Sequence, residues 1–397
     1  MDTPRTAWRN VFTMSGTIVL TLTGIFCWWR VLPVHLRWLG ASEFQITLVY
    51  CLAGFAQRLP QVWGGRLADR VGRKAIIVVV TILMALCYFA IGLAGAWWSV
   101  MAALVVCWIV GGIQWPAILA IITESVPEHK RGIALGLLEA MAMCGLTLGP
   151  FVGSRIEHAF EHDPAAAWRV LLLLCGGLYL VSAAVRGLLL RETGAPSAAT
   201  RTAPSLPWTQ LLVPSAAAIG ILATVLFFWT TDGPVAALYL KDELGQSRAQ
   251  IDTLFVYAGL VALASAPLAG WLVDRVGHVA VLRAAFVLTA LVLLPFLVAL
   301  SRRTHVHAIL PGWEPWLIVA FFLPSELVTV AFQRLLTANA TNRAATVGAY
   351  GVVVGIASPW AYLAIYPLYR TSHTLPLAAA AAIAMACFVL SLRLRHR

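Results

Sequence analysis

The chain has 397 residues, of which 60% are hydrophobic and only 11% charged, with a formal net charge of +11. A water-soluble domain carries about 25% charged residues, so this composition excludes an ordinary soluble globular protein. Apolar stretches long enough to cross a hydrocarbon core of roughly 30 Å recur from one end to the other. The sequence predicts an all-α, polytopic membrane protein.

In chain order, the predicted spans cover 11–36, 44–65, 75–95, 97–122, 132–156 and 166–190. A second set covers 211–236, 249–272, 279–300, 315–337, 344–368 and 375–394. At about 1.5 Å of rise per residue each set supplies six spanning helices, twelve in all. Between them lies "RETGAPSAATRTAPSLPW" (Arg191–Trp208), rich in Ala, Pro, Ser and Thr and the one stretch that reads as a linker. The expected division is an N-terminal bundle at 1–190, a cytoplasmic linker at 191–210 and a C-terminal bundle at 211–397.

An even number of spans leaves both termini on one side. If that side is the cytoplasm, it holds 18 Lys and Arg against 8 on the other. That bias is what orients helices during insertion, so both termini are expected inside a cell membrane. Trp8, Trp38, Trp97, Trp98, Trp168, Trp208, Trp313 and Trp316 fall near segment ends, as an interfacial belt would. The basic residues are scattered over short loops rather than gathered in a stripe, which argues against a nucleic-acid partner. All seven cysteines lie in apolar segments and read as small buried hydrophobes, not a disulfide framework or metal site. The first apolar run is too long for a secretory signal peptide and lacks a small-residue cleavage site.

The two halves repeat each other. "GASEFQI" at Gly40 matches "GQSRAQI" at Gly245, and "GGRLADRVGRK" at Gly64 matches "GWLVDRVGH" at Gly270, both at an offset of 205 once Gly65 is set on Gly270. Phe26, Trp28, Pro33 and Val34 align with Phe227, Trp229, Pro234 and Val235 at an offset of 201. Pro116 corresponds to Pro324, and Gly149-Pro150 to Ser358-Pro359.

With these residues in view, the chain resembles the major facilitator superfamily across essentially its full length. The pattern Gly65, Asp69, Arg70, Gly72, Arg73, Lys74 looks like that family's loop between helices 2 and 3. Gly270, Asp274, Arg275 and Gly277 form a weaker copy, with His278 where Arg or Lys is expected. Gly65 would let two helices approach closely, and Gly72 would permit a tight turn. Glu124 is a plausible ionic partner for the basic residues. The resemblance implies a cytoplasmic gate that latches and unlatches; a fixed, topology-setting charged turn is the alternative. Gly136, Gly145, Gly149, Pro150 and Gly153 resemble the helix-5 motif of drug/proton antiporters, with Ser154 where a second Gly is common. Such spacing opens a groove for close helix packing, ordinary packing being the plainer reading.

Arg30, Arg58, Glu139, Asp232 and Glu326 are ionisable residues inside the predicted spans. At the bilayer centre each costs about 3 kcal/mol, so each is expected to face protein or water. Arg30 aligns with Thr231, the neighbour of Asp232, and the pair is read either as a coupling gate or as a static salt bridge. Glu326, two residues after Pro324, is a candidate proton carrier, a binder of cationic substrate, or a packing residue. Glu139 and Arg58 are read as an inner gate or a structural pair. Trp28, Trp29, Trp108, Gln114, Trp115, Phe227, Trp229 and Thr231 are candidates for an aromatic substrate cavity or for helix packing.

No P-loop, metal-ligand cluster or nucleophile–base constellation is recognisable, so an enzyme is not expected and no cofactor is implied. The expected function is secondary active transport by alternating access: proton-coupled efflux of small amphipathic or aromatic compounds, driven by a proton gradient. The alternative is a proton symporter for a sugar, organic anion or other small nutrient. The expected partners are a small-molecule substrate and the lipid bilayer, with the chain acting as a monomer.

Overall fold

A computed structural model describes residues 4–127, 130–193, 214–232, 234–338, 355 and 359–394. Among these residues every regular element is helical and no strand occurs. The first half contains α1 (Pro4–Trp29), α2 (Leu32–Trp38), α3 (Glu43–Arg58), α4 (Gln61–Val71), α5 (Arg73–Leu93), α6 (Trp97–Ser125), α7 (Arg131–Ala159) and α8 (Pro164–Leu189). The second contains α9 (Pro214–Phe227), a π-helical segment (Phe228–Asp232), α10 (Pro234–Asp242), α11 (Arg248–Val276), α12 (His278–Ser301), α13 (Glu314–Ala320), α14 (Phe322–Ala338) and α15 (Leu375–Ser391). Most of the predicted span 344–368 lies outside the described residues, although 359–371 is helical. Among the described residues eight helical stretches are long and apolar enough to cross a membrane, two of them running through consecutive elements: Pro214–Asp242 takes in α9 and α10, and Glu314–Leu335 runs from α13 into α14.

The interruptions have sequence causes. Pro33 stands in the first turn of α2. It lacks the N–H that would bond the Trp29 carbonyl four residues back, so the α1 ladder stops at Trp29 and Arg30 enters a turn. Pro234 opens α10 after the π-helical segment, at the repeat-related position. Pro60, at the N-terminal cap of α4, divides the second predicted span after Arg58. The duplication is also legible in the backbone. Gly40 and Gly245 have φ of 84° and 61°, and Gly72 and Gly277 have φ of 105° and 93°. Residues with a Cβ rarely adopt these angles, which is why both copies keep glycine there.

The described chain forms two compact units. One comprises Met1–Ala41, Leu52–Thr202 and Arg248–Val256; the other comprises Ser42–Cys51, Ala203–Ser247 and Tyr257–Arg397. The first turns of α11 therefore pack in the first unit, and the first turns of α3 in the second.

In the first unit α1 lies against α7 and α8, while α5 lies against α6 and α8. Its interior is aromatic: Trp28 meets Tyr88 and Trp168 with ring centroids 5.9 and 5.8 Å apart, and Tyr88 meets Tyr179 at 4.8 Å. Trp168, expected at the membrane interface, is instead fully buried, with His35 stacked on it at 3.9 Å. Trp38, Trp98, Trp313 and Trp316 are exposed.

Arg186, expected among the cytoplasmic charges, is buried as well. Its Nε donates to Thr17 Oγ1 and its Nη1 to Thr81 Oγ1, both at 2.9 Å. Those hydroxyls donate in turn to helix carbonyls of Thr13 and Ile77, which spreads the cation's field over two helix backbones. The core of the second unit joins Ile219 of α9, Leu282 and Phe286 of α12, Leu327 and Ala331 of α14 and Cys387 of α15.

Candidate functional site

The helix-5 glycines face α1. A Cβ added at Gly145 would lie 2.8 Å from Leu22 Cβ and 2.9 Å from the Val19 carbonyl oxygen. At Gly149 it would lie 2.5 Å from Phe26 Cβ and 2.8 Å from the Phe26 carbonyl carbon. At Gly153 it would meet the Cys27 carbonyl oxygen and sit 2.7 Å from Asp252 Oδ2. Three glycines at four-residue spacing thus form one stripe of α7 on which α1 rests backbone to side chain. Pro150 lies inside α7, which continues through it.

The stripe ends at a cluster of buried charge, where α1 breaks. Arg30 is 5% exposed, and its guanidinium lies over the rings of Phe255 at 4.6 Å and Phe26 at 5.3 Å. Asp252 of α11 is wholly buried, and neither carboxylate oxygen accepts a hydrogen bond. Arg248 stands one turn before it on α11, and Arg30 lies over Phe255, three residues after it. Glu157, near the end of α7, is buried and lies 3.8 Å from Arg248 Nη1. Neither ring nitrogen of the buried His35 has a hydrogen-bond partner. Ser154 fastens the start of α11, bonding the Ala249 carbonyl at 3.1 Å and the Thr253 hydroxyl at 2.7 Å. Two acids and two guanidinium groups therefore meet in a water-poor place, where charge is stable only when compensated.

A second constellation surrounds the Gly72 turn. Arg73 Nη1 lies 2.7 Å from Glu124 Oε2, and Thr193 Oγ1 donates to the same oxygen at 3.0 Å. Glu192 caps α5, its carboxylate accepting from the backbone N–H of Arg73 and of Lys74 at 3.0 Å each. A Cβ on Gly72 would lie 2.8 Å from Glu192 Oε2, so glycine serves both the turn and the cap. Residues 188–193 are held on α1 as well: Arg9 donates to the Leu188 and Leu189 carbonyls, and Asn10 exchanges hydrogen bonds with the Arg191 backbone. Arg70 is exposed. In the second copy, Asp274 pairs with Arg334 at 3.0 Å, both side chains exposed, and Arg275 covers Trp271 at 4.5 Å. Close helix approach was expected at Gly65, whose surroundings lie outside the described residues; at its counterpart Gly270 a Cβ would meet open space, and the close approaches described are at Gly64 and Gly112, which sequence reasoning passed over. A Cβ at Gly64 would lie 2.8 Å from Ile113 Cα, and one at Gly112 would meet the Gln57 carbonyl oxygen.

Several expected cavity residues have internal partners. Trp28 is fully buried in the aromatic core. Gln114 donates to Thr81 Oγ1 at 3.0 Å, inside the Arg186 network. Trp229 Nε1 donates to the Ala361 carbonyl at 2.8 Å. Trp29 packs on Trp108 at 5.7 Å, while Trp115 and Phe227 are exposed. Arg58 is exposed at the end of α3. Glu326 is half-buried on α14, behind the buried Pro324. The side chains of Asp69, Glu139, Thr231 and Asp232, and the surroundings of Gly65 and Gly136, lie outside the described residues. Asp252, Glu157 and Arg248 escaped sequence reasoning because they sit at the ends of their spans. The i, i+4 spacing of Arg248 and Asp252 was the available signal.

A sequence profile of the Major Facilitator Superfamily matches residues 14–361. The chain belongs to the Major Facilitator Superfamily. It is 30% identical over 328 residues to the "Multidrug resistance protein MdtG" of Enterobacter lignolyticus (strain SCF1), covering 79% of this chain and 74% of that one. Among solved structures, a bacterial homologue of the iron transporter ferroportin in an inward-facing state superposes with a TM-score of 0.74 at 13% identity, over 99% of each chain. A D-xylose-proton symporter superposes with a TM-score of 0.73 at 14% identity, over 98% of each chain. These two likenesses establish the fold. As a superfamily member with long apolar helices, the protein is an integral, multi-pass membrane transporter of small molecules.

Proposed function

We propose that this transporter exports small amphipathic compounds, aromatic cations among them, in exchange for protons. The carrying observation is the buried cluster of Arg30, Glu157, Arg248 and Asp252 at the break between α1 and α2, set on the Gly145–Gly149–Gly153 stripe. A membrane protein keeps buried ionisable groups of both signs at a cost, and those groups mark ion pathways. The kinship with MdtG, a protein named for multidrug resistance, supports export over nutrient uptake. In this reading twelve helices form two six-helix bundles joined by a cytoplasmic linker, both termini face the cytoplasm, and the chain works as a monomer without a cofactor. The loop around Gly72, Arg73, Glu124 and Glu192 acts as the cytoplasmic latch, and Glu326 and Asp232 supply carboxyls to the C-terminal half.

The test is transport by the purified chain in proteoliposomes, with ethidium as probe and protein-free vesicles as control. Antiport predicts accumulation when the vesicle interior is made acidic, since outward proton flow then drives ethidium inward. Accumulation only with an alkaline interior means symport and overturns the export reading. Absence of gradient-driven movement for ethidium and for a panel of aromatic cations overturns it too.

A further inference from the structure

We infer that Asp252 is the proton-binding carboxyl of the transport cycle, buried one helical turn after Arg248 and given room by Gly153. The inference rests on the proton-coupled reading above and adds to it a site at the start of α11.

Three observations carry it. First, Asp252 is completely buried, yet both of its oxygens lack a hydrogen-bond donor. A structural buried carboxylate normally accepts several hydrogen bonds; one left without them is costly as an anion, and binding a proton relieves that cost. Second, the groups facing it form a charge balance that a single proton tips. Arg30 comes from the turn after α1, the Cys27 thiol from α1, Glu157 from α7 and Arg248 from its own helix, with His35 of α2 on the Arg248 side. With Asp252 and Glu157 ionised, two acids face two guanidinium groups; with Asp252 protonated, one acid faces two. Third, polar atoms without hydrogen bonds gather here: Glu157 Oε1 and Arg248 Nη1, which approach each other only to 3.8 Å, besides the two oxygens of Asp252. A core built for permanence would have satisfied them.

Gly153 ties the site to the helix-5 motif. Any larger residue there would press on Asp252 Oδ2, and the same position lets α1 pass close by at Cys27. Proton uptake forms an O–H bond at one Asp252 oxygen and release breaks it, the proton coming from and returning to water. The charge that changes sits where the first turns of α11 are fastened to α7 by Ser154 and Glu157. Loading and unloading the proton therefore acts on whether those turns stay docked.

The experiment compares wild type, Asp252→Asn and Glu157→Gln in two ways. Infrared difference spectra between acidic and alkaline pH read protonated carboxyl groups without any substrate. Ethidium accumulation in acid-loaded proteoliposomes reads coupling. Asp252→Asn is expected to remove one titrating carboxylic band and to lower gradient-driven accumulation at least tenfold, with a melting temperature within a few degrees of wild type reporting an intact fold. Glu157→Gln is expected to keep the band. A band that survives in Asp252→Asn, or is lost in Glu157→Gln instead, overturns the assignment, as does accumulation by Asp252→Asn within twofold of wild type. Wild type that fails to accumulate ethidium while its Asp252 band titrates sinks the export reading and leaves the proton site standing.

Discussion

Replacing Gly149 with alanine adds one carbon to α7, and the structure fixes where it goes. It would lie 2.5 Å from Phe26 Cβ, 2.8 Å from the Phe26 carbonyl carbon and 3.0 Å from the Cys27 backbone nitrogen. Carbon atoms sit comfortably at about 3.5–4.0 Å, so the overlap is on the order of 1 Å. Two of the three neighbours are backbone atoms that cannot rotate aside, so α1 must move. Overpacking of this kind costs about 1–3 kcal/mol, and the upper end applies when backbone must shift. Alanine recovers about 1 kcal/mol as the better helix former, which leaves a net loss of about 2 kcal/mol.

At the roughly 2 cal/mol/K per residue of typical unfolding entropy, melting falls by about 2–5 °C, depending on whether the whole chain or half of it melts together. A thiol-reactive fluorophore suits the assay, because buried Cys27 and Cys175 become reactive only as this bundle opens. Gly177 of α8 supplies the control, since a Cβ there meets nothing within 4 Å. Gly177→Ala should be neutral or raise melting slightly. If Gly149→Ala melts at or above wild type, α1 does not rest on that stripe and the packing argument for the helix-5 motif is wrong.

Other perturbations follow from the same structure. Glu192→Ala removes the carboxylate that caps the N–H groups of Arg73 and Lys74, and should cost about 1–2 kcal/mol in thermal melting. Arg186→Lys leaves one ammonium to replace a fork that reaches Thr17 and Thr81 on two helices; a loss of about 1–3 kcal/mol in the same assay is expected, and an unchanged melt would argue against the network. Trp229→Phe gives up the bond to the Ala361 carbonyl and should lower stability by about 1–2 kcal/mol. Asp274→Asn, which breaks an exposed pair with Arg334, should change melting by less than about 1 kcal/mol, and less still at high salt.

Much of the fold was legible because its determinants are local. Pro33 and Pro234 interrupt their helices wherever the chain goes, and Gly40, Gly72, Gly245 and Gly277 announce turns through backbone geometry alone. The glycine stripe of α7 was legible as a groove, though not what filled it. The charge cluster was harder. Asp252 reads from sequence as a residue near a membrane surface; only the packing of α11 beside Gly153 and Arg30 shows it to be buried. Arg186 misleads in the same way, since a lone basic residue near a span's end looks like a topology signal. Its burial depends on Thr17 and Thr81, which lie more than a hundred residues away in sequence. Long-range pairing of hydroxyl and guanidinium leaves no periodic trace.

The docking of residues 188–193 bears on how the polypeptide can be cut. Arg9, Asn10, Arg73 and Glu124 claim this stretch for the first bundle, down to the Thr193 hydroxyl. Two separately expressed fragments should reassemble when the scission falls after Thr193. Severing at Leu190 would detach the Glu192 cap of α5 and leave Asn10 only its bond to Ser125, although on paper both breaks fall between the same two halves.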